Sequence, residues 1–493
     1  MLVPLWRTTL VQARERTGQI STPTDRAMKI VVIDDDPTGS QTVHSCPLLL
    51  RWDQAALRRG LRHPSPLMFV LANTRALTPE AAASRNREIV DALVLAMAAE
   101  DLQEHELLLV SRGDSTLRGH GVLEPQVLAQ AWEGHFGVAV DATLHVPAFF
   151  EGGRTTVNGV HRLHGQPVHT TAFALDRLFG YGTSDLAEWL EEKSAGQIAA
   201  NSVLRIPLEL LEPERSADLL TRLETLEANS PVVVDATRPE QLLSLGVAIR
   251  RLQGRKRFLF RSAASLLNGL VDSGPSPLGP QLLDAQGLVS LHRRDLHGQP
   301  LPGLVVVGSH VSLADQQLKS LLANEGCRGI ELPVARIARV LEGGSPDLLL
   351  PDLEAEWRSQ LEQALEEGLT PVLFSSRGEL LFGAGAAAAA RRLRFGMELA
   401  SLMARMLAAV APRLGYLISK GGITTGTLLV EGLGLEAVQL EGQLLPGLSL
   451  VRAMETATEM TEQIRALPVI TFPGNLGTEH SLKDVWQMFA GEA

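Results

Sequence analysis

A chain of 493 residues is too long to fold around one compact core, so two domains are expected. Apolar residues make up 45% and charged residues 20%, the balance of an ordered globular protein. The net charge of −11 argues against a nucleic-acid partner, because phosphate binding needs a concentrated Lys/Arg face, and 21 aromatic residues are few for a base-stacking platform. Cys46 and Cys327, far apart, make neither a disulfide framework nor a Cys-rich zinc site and suit a reducing cytoplasm. No stretch reaches the ~18 uncharged apolar residues of a membrane span. Residues 1–28 read as an N-terminal arm, since they lack the apolar core and cleavage site of a secretory signal.

Short apolar runs follow, each ending in polar or small residues. Residues 30–33 lead into Asp34, Asp35 and Asp36; residues 67–72 into Asn73, Thr74 and Arg75; residues 107–110 into Ser111, Arg112, Gly113, Asp114 and Ser115. Residues 138–140 precede Asp141, residues 232–234 precede Asp235, and residues 258–260 end at Arg261 and Ser262. Continuous rather than alternating apolar runs mark strands buried on both faces, as in a parallel sheet. Helical patterns between them, such as 79–99 and 217–227, predict right-handed crossovers and α/β layers. Ligands of such sheets bind beyond the carboxyl ends of the strands, where the polar clusters sit.

Residues 273–302 read as a linker, in a region dense in Pro and Gly. A second series then begins. Residues 304–307 end in Gly308, Ser309 and His310, and residues 372–374 in Ser375 and Ser376; residues 386–411 form a long helical pattern stopped by Pro412. Residues 416–418 lead into Ser419, Lys420, Gly421 and Gly422, and residues 469–470 toward Gly474. The expected architecture is α/β with two domains, 29–272 and 303–493. Each is a mainly parallel sheet flanked by helices, with a cleft between them.

Strand alternation puts Asp34 and Asp36 on one side and Asp35 on the other. Three adjacent carboxylates repel, so a cation, sugar hydroxyls or backbone donors of the Thr38-Gly39-Ser40 turn must offset them. The hydroxyls and two arginines of residues 111–120 can hold an anion, and arginine can grip a carboxylate through two parallel hydrogen bonds. The loop 151–156 presents the Arg154 guanidinium and two hydroxyls. His161 and His164 lack further ligands at metal spacing, so no protein-held zinc is expected. In the second half, Gly421-Gly422-Ile423-Thr424 allows backbone N–H groups to converge on an anion. It is not a Walker A loop. Gly308-Ser309 and Gly474-Asn475-Leu476-Gly477 are further strand-end glycine loops, and three in one domain favour a nucleotide or phosphate site.

Together these segments resemble the four-carbon acid sugar kinases, which phosphorylate tetronate-type sugar acids with ATP. The family's opening Ala-Asp-Asp-Leu/Phe-Thr-Gly-Ala is similar to Asp34-Asp35-Asp36-Pro37-Thr38-Gly39-Ser40. Its Asp-Ser-Thr-Leu-Arg-Gly stretch runs intact from Asp114 to Gly119. Its Pro-Ala-Phe, Gly-Arg-Thr-Thr and Asn-Gly-Val elements are matched at 147–149, 153–156 and 158–160, its Gly-Gly-Glu-Thr-Ser-Gly at 421–426, its Gly-Asn-Phe-Gly at 474–477 and its Gly-Ser-Cys-Ser at 308–311. The resemblance implies an N-terminal sugar-acid domain, a C-terminal nucleotide domain and phosphoryl transfer across the cleft, with ATP and Mg²⁺ as cofactors. It implies a cytoplasmic enzyme whose partners are small molecules, compatible with a homodimer. By carry-over, Asp35 and Asp36 handle the substrate hydroxyls and Arg118 the carboxylate, with Asp34, Thr38, Asn73, Arg75, Asp114, Ser115 and Arg154 around the sugar acid. Ser309, Gly421, Gly422, Ile423, Thr424 and Gly474 would hold the nucleotide. Pro37, Ser40 and Ile423 depart from the family's apolar residue, Ala and Glu.

Two other readings stand beside this one. Asp34-Asp35-Asp36-Pro37-Thr38 also fits Asp-x-Asp-x-Thr, the front motif of haloacid-dehalogenase-like phosphatases, with Asp34 as nucleophile and Asp36 as acid/base. That chemistry needs a nearby lysine, and only Lys193 and Lys256 lie between Asp36 and Ser273. The other is a non-catalytic sugar-acid-binding protein on the same fold.

Overall fold

The computed structural model describes residues 28–490 except 38, 40, 41, 177, 272–281, 284, 344–345, 378–385 and 455–460. Residues 1–27 of the expected arm, Thr38 and part of the expected linker lie outside the described residues. The first half supplies β1 (Lys29–Asp34), β2 (Pro47–Leu49), β3 (Leu67–Leu71), β4 (Leu107–Arg112) and β5 (Ala142–Val146). A small antiparallel sheet of β6 (Arg154–Val157), β7 (Val160–Leu163) and β8 (Gln166–Pro167) comes next, then β9 (Leu204–Ile206), β10 (Ser230–Val234) and β11 (Phe258–Ser262). The second half supplies β12 (Leu304–Val307), β13 (Cys327–Leu332), β14 (Thr370–Ser375), β15 (Leu417–Lys420), β16 (Ala437–Leu445), β17 (Leu448–Ala453) and β18 (Val469–Phe472).

The continuous apolar runs form strands for the reason their pattern implies. Along β1, Ile30 and Val32 enter one core cluster while Val31 and Ile33 enter another on the opposite face. Both faces are covered, so neither register can be polar. The helix Pro79–Ala99 forms over its expected span, capped by the Thr78 hydroxyl with Pro79 in its first turn. The long helix Ala386–Val410 is followed by a short 3₁₀ turn containing Pro412. Part of it is apolar enough to cross a membrane by length and composition, yet Leu402, Met403 and Leu407 are buried in the core cluster that also holds strand residues of the second half.

One expected strand is misplaced. Residues 138–140 are not a strand; they carry the chain from the left-handed cap Gly137 into β5. Asp141 therefore sits at the amino end of the sheet, where its carboxylate accepts from the Arg257 N–H at 2.7 Å and from Lys256 Nζ at 3.2 Å.

The two halves do not form separate sheets. Fifteen strands make one sheet in the order β13-β14-β12-β15-β18-β17-β16-β2-β3-β1-β4-β11-β5-β10-β9. Each end of that order is a parallel block, and the joints β2–β16, β16–β17 and β17–β18 are antiparallel. Three reversals make the second block run opposite to the first. Six strand-to-strand steps separate β1 from β15, and at about 20–25° each the right-handed twist accumulates ~120–150°. Reversal and twist largely cancel, which lets the carboxyl ends of both blocks face one cleft.

Leu48 of β2 is 1% exposed and lies at this seam, paired with Val438 on one side and Phe69 on the other. Leu48→Ala is expected to cost about 2–5 kcal/mol. Calorimetry should show a lower midpoint and two separated unfolding transitions where the parent protein shows coupled ones.

Candidate active site

The cleft between the facing strand ends has a volume of about 270 Å³. The first half lines it with Asp36, Asn73, Arg75, Arg112, Asp114, Ser115, Arg118, Phe149 and Arg154. Four arginines against two aspartates leave this wall net positive in a chain of net charge −11. A concave cationic surface in an acidic protein draws anions to one place.

The three consecutive aspartates meet three different fates. β1 ends at Asp34, so alternation does not carry through Asp36 as the sequence implied. Asp34 and Asp35 are each 1% exposed and do not line the cleft, while Asp36 does. Asp35 is satisfied by cations: Arg75 reaches it at 2.6 and 3.2 Å, with Arg112 and Arg261 both 3.9 Å away. Asp34 has Arg112 at 3.5 Å and accepts from the Asp36 N–H at 3.2 Å, but its Oδ2 is buried without a partner. Burial pushes its carboxyl up to about 7, reinforced by Asp35 and Asp36 and opposed by Arg112. Asp36 accepts from Arg75 Nη1 at 3.0 Å. Arg75 thus bridges the buried carboxylate to the one in the cleft.

Farther along the wall, Arg118 Nε donates to Asp114 at 2.8 Å, and its guanidinium lies over the Phe173 ring. Burial works against a charged Asp114, yet Arg118 and Arg75 hold its carboxyl well below the usual carboxylate range. Arg154 Nη1 donates to the Gly152 carbonyl at 2.6 Å. Behind the wall, Arg261 ties Ser111, at 2.8 Å, to Glu124, which also accepts from Thr74.

Strand ends of β12, β15 and β18 supply the opposite wall, with Ser309, Gly421, Gly422, Ile423, Thr424 and Gly474 joined by Gly308, Val311, Pro473, Asn475 and Leu476. Gly421 has φ +121°, a backbone conformation that other residues rarely adopt. Its N–H donates to the Phe472 carbonyl at 3.0 Å, and the Ser309 N–H donates to the Lys420 carbonyl at 3.2 Å. These two amides, expected to face an anion, are spent in holding the loops together. Gly422, Ile423 and Thr424 open the helix Gly422–Thr427 and have no carbonyl partner within it. At Gly422 a Cβ would land on the Asp36 carboxylate, so the two halves meet there without a side chain between them. Beneath the loops Lys420 is fully buried: its Nζ donates to the Pro473 carbonyl at 2.9 Å and lies 4.0 Å from the Phe472 ring centre. Burial pushes its ammonium down to about 7.

Of the sixteen residues assigned to the sugar acid or the nucleotide, thirteen line the cleft, Asp34 and Asp35 lie behind it, and Thr38 is outside the described residues. Arg112, one of the two arginines read from residues 111–120 as able to hold an anion, lines the cleft as well, at the end of β4. Arg261 is marked in the sequence only as a strand-end residue, and Glu124 not at all; the adjacency of β4 and β11 brings Arg261 to Ser111 and Glu124. A nucleophilic Asp34 would have to reach the cleft, and it does not. Lys193 and Lys256 are committed elsewhere, to the Gly180 carbonyl and to Asp141 with the Leu226 carbonyl.

The raised Asp34 carboxyl makes a prediction with a definite sign. Relative to an ordinary carboxyl at 3.8, the fold favours the protonated form, so this contribution is complete below about pH 4 and is lost as pH rises through about 7. Asp34→Asn removes the loss. Its melting temperature relative to the parent protein should climb between pH 4 and pH 8, whatever constant offset the amide introduces.

Residues 30–270 match the family described as the sugar-binding N-terminal domain, and residues 304–482 the one described as the nucleotide-binding C-terminal domain. No curated protein sequence matches the chain. A solved structure from Salmonella typhimurium LT2, described as a candidate tRNA synthase, is similar over 94% of this chain and 99% of its own, at 17% identity and TM-score 0.63. A Haemophilus influenzae protein of family DUF1537 is similar over 93% and 100%, at 14% identity and TM-score 0.54. A Bordetella bronchiseptica DUF1537 protein, a domain-swapped dimer with bound citrate, aligns over 94% and 98% at 23% identity, with a TM-score of 0.39. The first two likenesses show a shared fold. With a sugar-binding domain followed by a nucleotide-binding domain across one cleft, the chain belongs to the four-carbon acid sugar kinase family.

Proposed function

We propose that the protein transfers the γ-phosphoryl group of ATP to a hydroxyl of a four-carbon sugar acid, tetronate or its 3-oxo form. One observation carries the reading: Asp36, at the head of the cationic wall, lies directly against Gly422, at the head of the glycine loops. A sugar hydroxyl at Asp36 is thereby next to a nucleotide phosphate at the loops. The transition state of phosphoryl transfer is loose, so alignment and charge neutralisation dominate over base strength. Asp36 orients the attacking hydroxyl and receives its proton. Arg75 fixes the Asp36 carboxylate and is itself fixed by Asp35.

Arg118 and Arg154 hold the substrate carboxylate, with Asp114 keeping Arg118 in place, while Asn73 and Ser115 meet hydroxyls. Ser309, Gly421, Gly422, Ile423, Thr424 and Gly474 take the nucleotide. Mg²⁺ would neutralise the phosphates. Among the described residues no cluster of three His, Cys, Asp or Glu forms a metal cage. That donor set fits a metal brought in on the phosphates, which needs only one or two carboxylates, with Asp36 the one in reach of both walls.

Assay of ATP turnover over a tetronate panel tests the assignment. Asp36→Asn should lower kcat by about 10²-fold or more, with the sugar-acid KM little changed. Arg118→Lys keeps the charge and loses the two-pronged grip, so it should raise that KM by ~10-fold while the KM for ATP stays put. Undiminished kcat in the first variant removes Asp36 from the base role, and an unchanged KM in the second removes Arg118 from the carboxylate.

A further inference from the structure

A second recess opens behind the Arg118–Asp114 pair, which also lines the main cleft. It measures about 20 Å³, room for one water-sized group. β5 brings His145 to it and the helix Leu186–Lys193 brings Trp189, with exposures of 6% and 4%. The indole packs here because residue 121 is glycine; a Cβ there would fall on the outer ring carbons. Leu117, Leu186 and Pro147 supply its apolar surface, and Arg261 and Ser262 complete its polar one. In this setting His145 Nδ1, Trp189 Nε1 and Ser262 Oγ are buried without a hydrogen-bond partner in the protein. Buried polar atoms are otherwise almost always paired, so three orphans on one recess beside a ligand cleft point to a partner that arrives with the ligand.

The chemistry of the wall restricts that partner. An indole N–H only donates, whereas a neutral imidazole donates at one nitrogen and accepts at the other. Burial, helped by Arg261, pushes the His145 imidazole down to about 3, so it is uncharged at neutral pH. Asp114 stands on the same wall as a carboxylate. Arg118 and Arg261 share that wall, but a carboxylate is larger than the one water-sized group the recess admits, and an alkyl group would leave both ring nitrogens unpaired. A hydroxyl satisfies both.

We infer that this recess receives one non-reacting hydroxyl of the sugar acid bound in the main cleft, with Trp189 as donor and His145 as second partner, and so selects among hydroxylated acids. The inference rests on the sugar-acid reading of the cleft.

The test is calorimetric binding, without nucleotide, of a four-carbon trihydroxy acid and its monodeoxy analogues. The parent protein should bind the trihydroxy acid at least ~10-fold more tightly than one of those analogues. Trp189→Phe keeps a ring and loses the N–H. It should weaken the trihydroxy acid by about that factor while leaving the analogue within ~2-fold, bringing the ratio near one, with the KM for ATP unchanged. His145→Leu gives the same comparison should the first variant not fold. A ratio preserved in both variants means that the recess holds an ordered water only and overturns the inference. Acids that bind without any discrimination by the parent protein overturn it too, while leaving the kinase reading intact. If no four-carbon acid binds at all, the sugar-acid reading falls and takes the inference with it.

Discussion

The pairing of Pro47–Leu49 with the start of β16 determines where every functional side chain ends up. A parallel sheet exposes its chemistry at one edge only, the carboxyl edge. Two such sheets joined in the same sense would place both edges side by side, far apart along the strand order. Three antiparallel joints turn the second block over, and the accumulated twist swings its carboxyl edge back toward the first. Contact between Asp36 and Gly422 is the local result of that long-range arrangement. Since β2 is only three residues long and buried throughout, the seam depends on side-chain packing more than on the number of hydrogen bonds.

Within the first half, the governing problem is charge. Three carboxylates leave one strand together, and the fold resolves their repulsion in three ways. Asp34 is dehydrated until it favours its proton. Asp35 is matched by guanidinium groups from three separate strand ends, at Arg75, Arg112 and Arg261. Asp36 is left facing the cleft, with Arg75 shared between it and Asp35. The same arginines that neutralise buried carboxylates thereby present positive charge to the cleft. A positive anion site in an acidic protein follows from the buried aspartates rather than from any local excess of basic sequence.

Much of this was legible in the sequence. Buried strands announced themselves by continuous apolar runs, and the polar residues after them marked the edge that binds. The glycine loops signalled the opposite wall. What could not be read locally was the seam: residues 438–441 alternate apolar and polar positions, and nothing in them declares β2 as partner. Nor could alternation be extended past the end of β1, which is why Asp34 and Asp36 part company. Glu124, His145 and Trp189 matter only through the strand order and the helices laid over it, so no spacing rule reveals them.

Ser309 and Gly421 commit their N–H groups to the Lys420 and Phe472 carbonyls, and Lys420 Nζ is bound to Pro473 beneath the loops. The loops are therefore tied to one another, leaving the Gly422, Ile423 and Thr424 N–H groups as the open backbone donors, and the Ile423 side chain stands where the family motif carries Glu, adding neither charge nor hydrogen bond. Nearly all the positive charge in the cleft comes instead from the arginines of the other half. A nucleotide polyphosphate resting on these loops would draw much of its compensating charge from across the cleft. Binding of the phosphates and correct placement of the two halves are on this account one event. An acceptor hydroxyl at Asp36 would then be aligned by the same contact that neutralises the phosphoryl group.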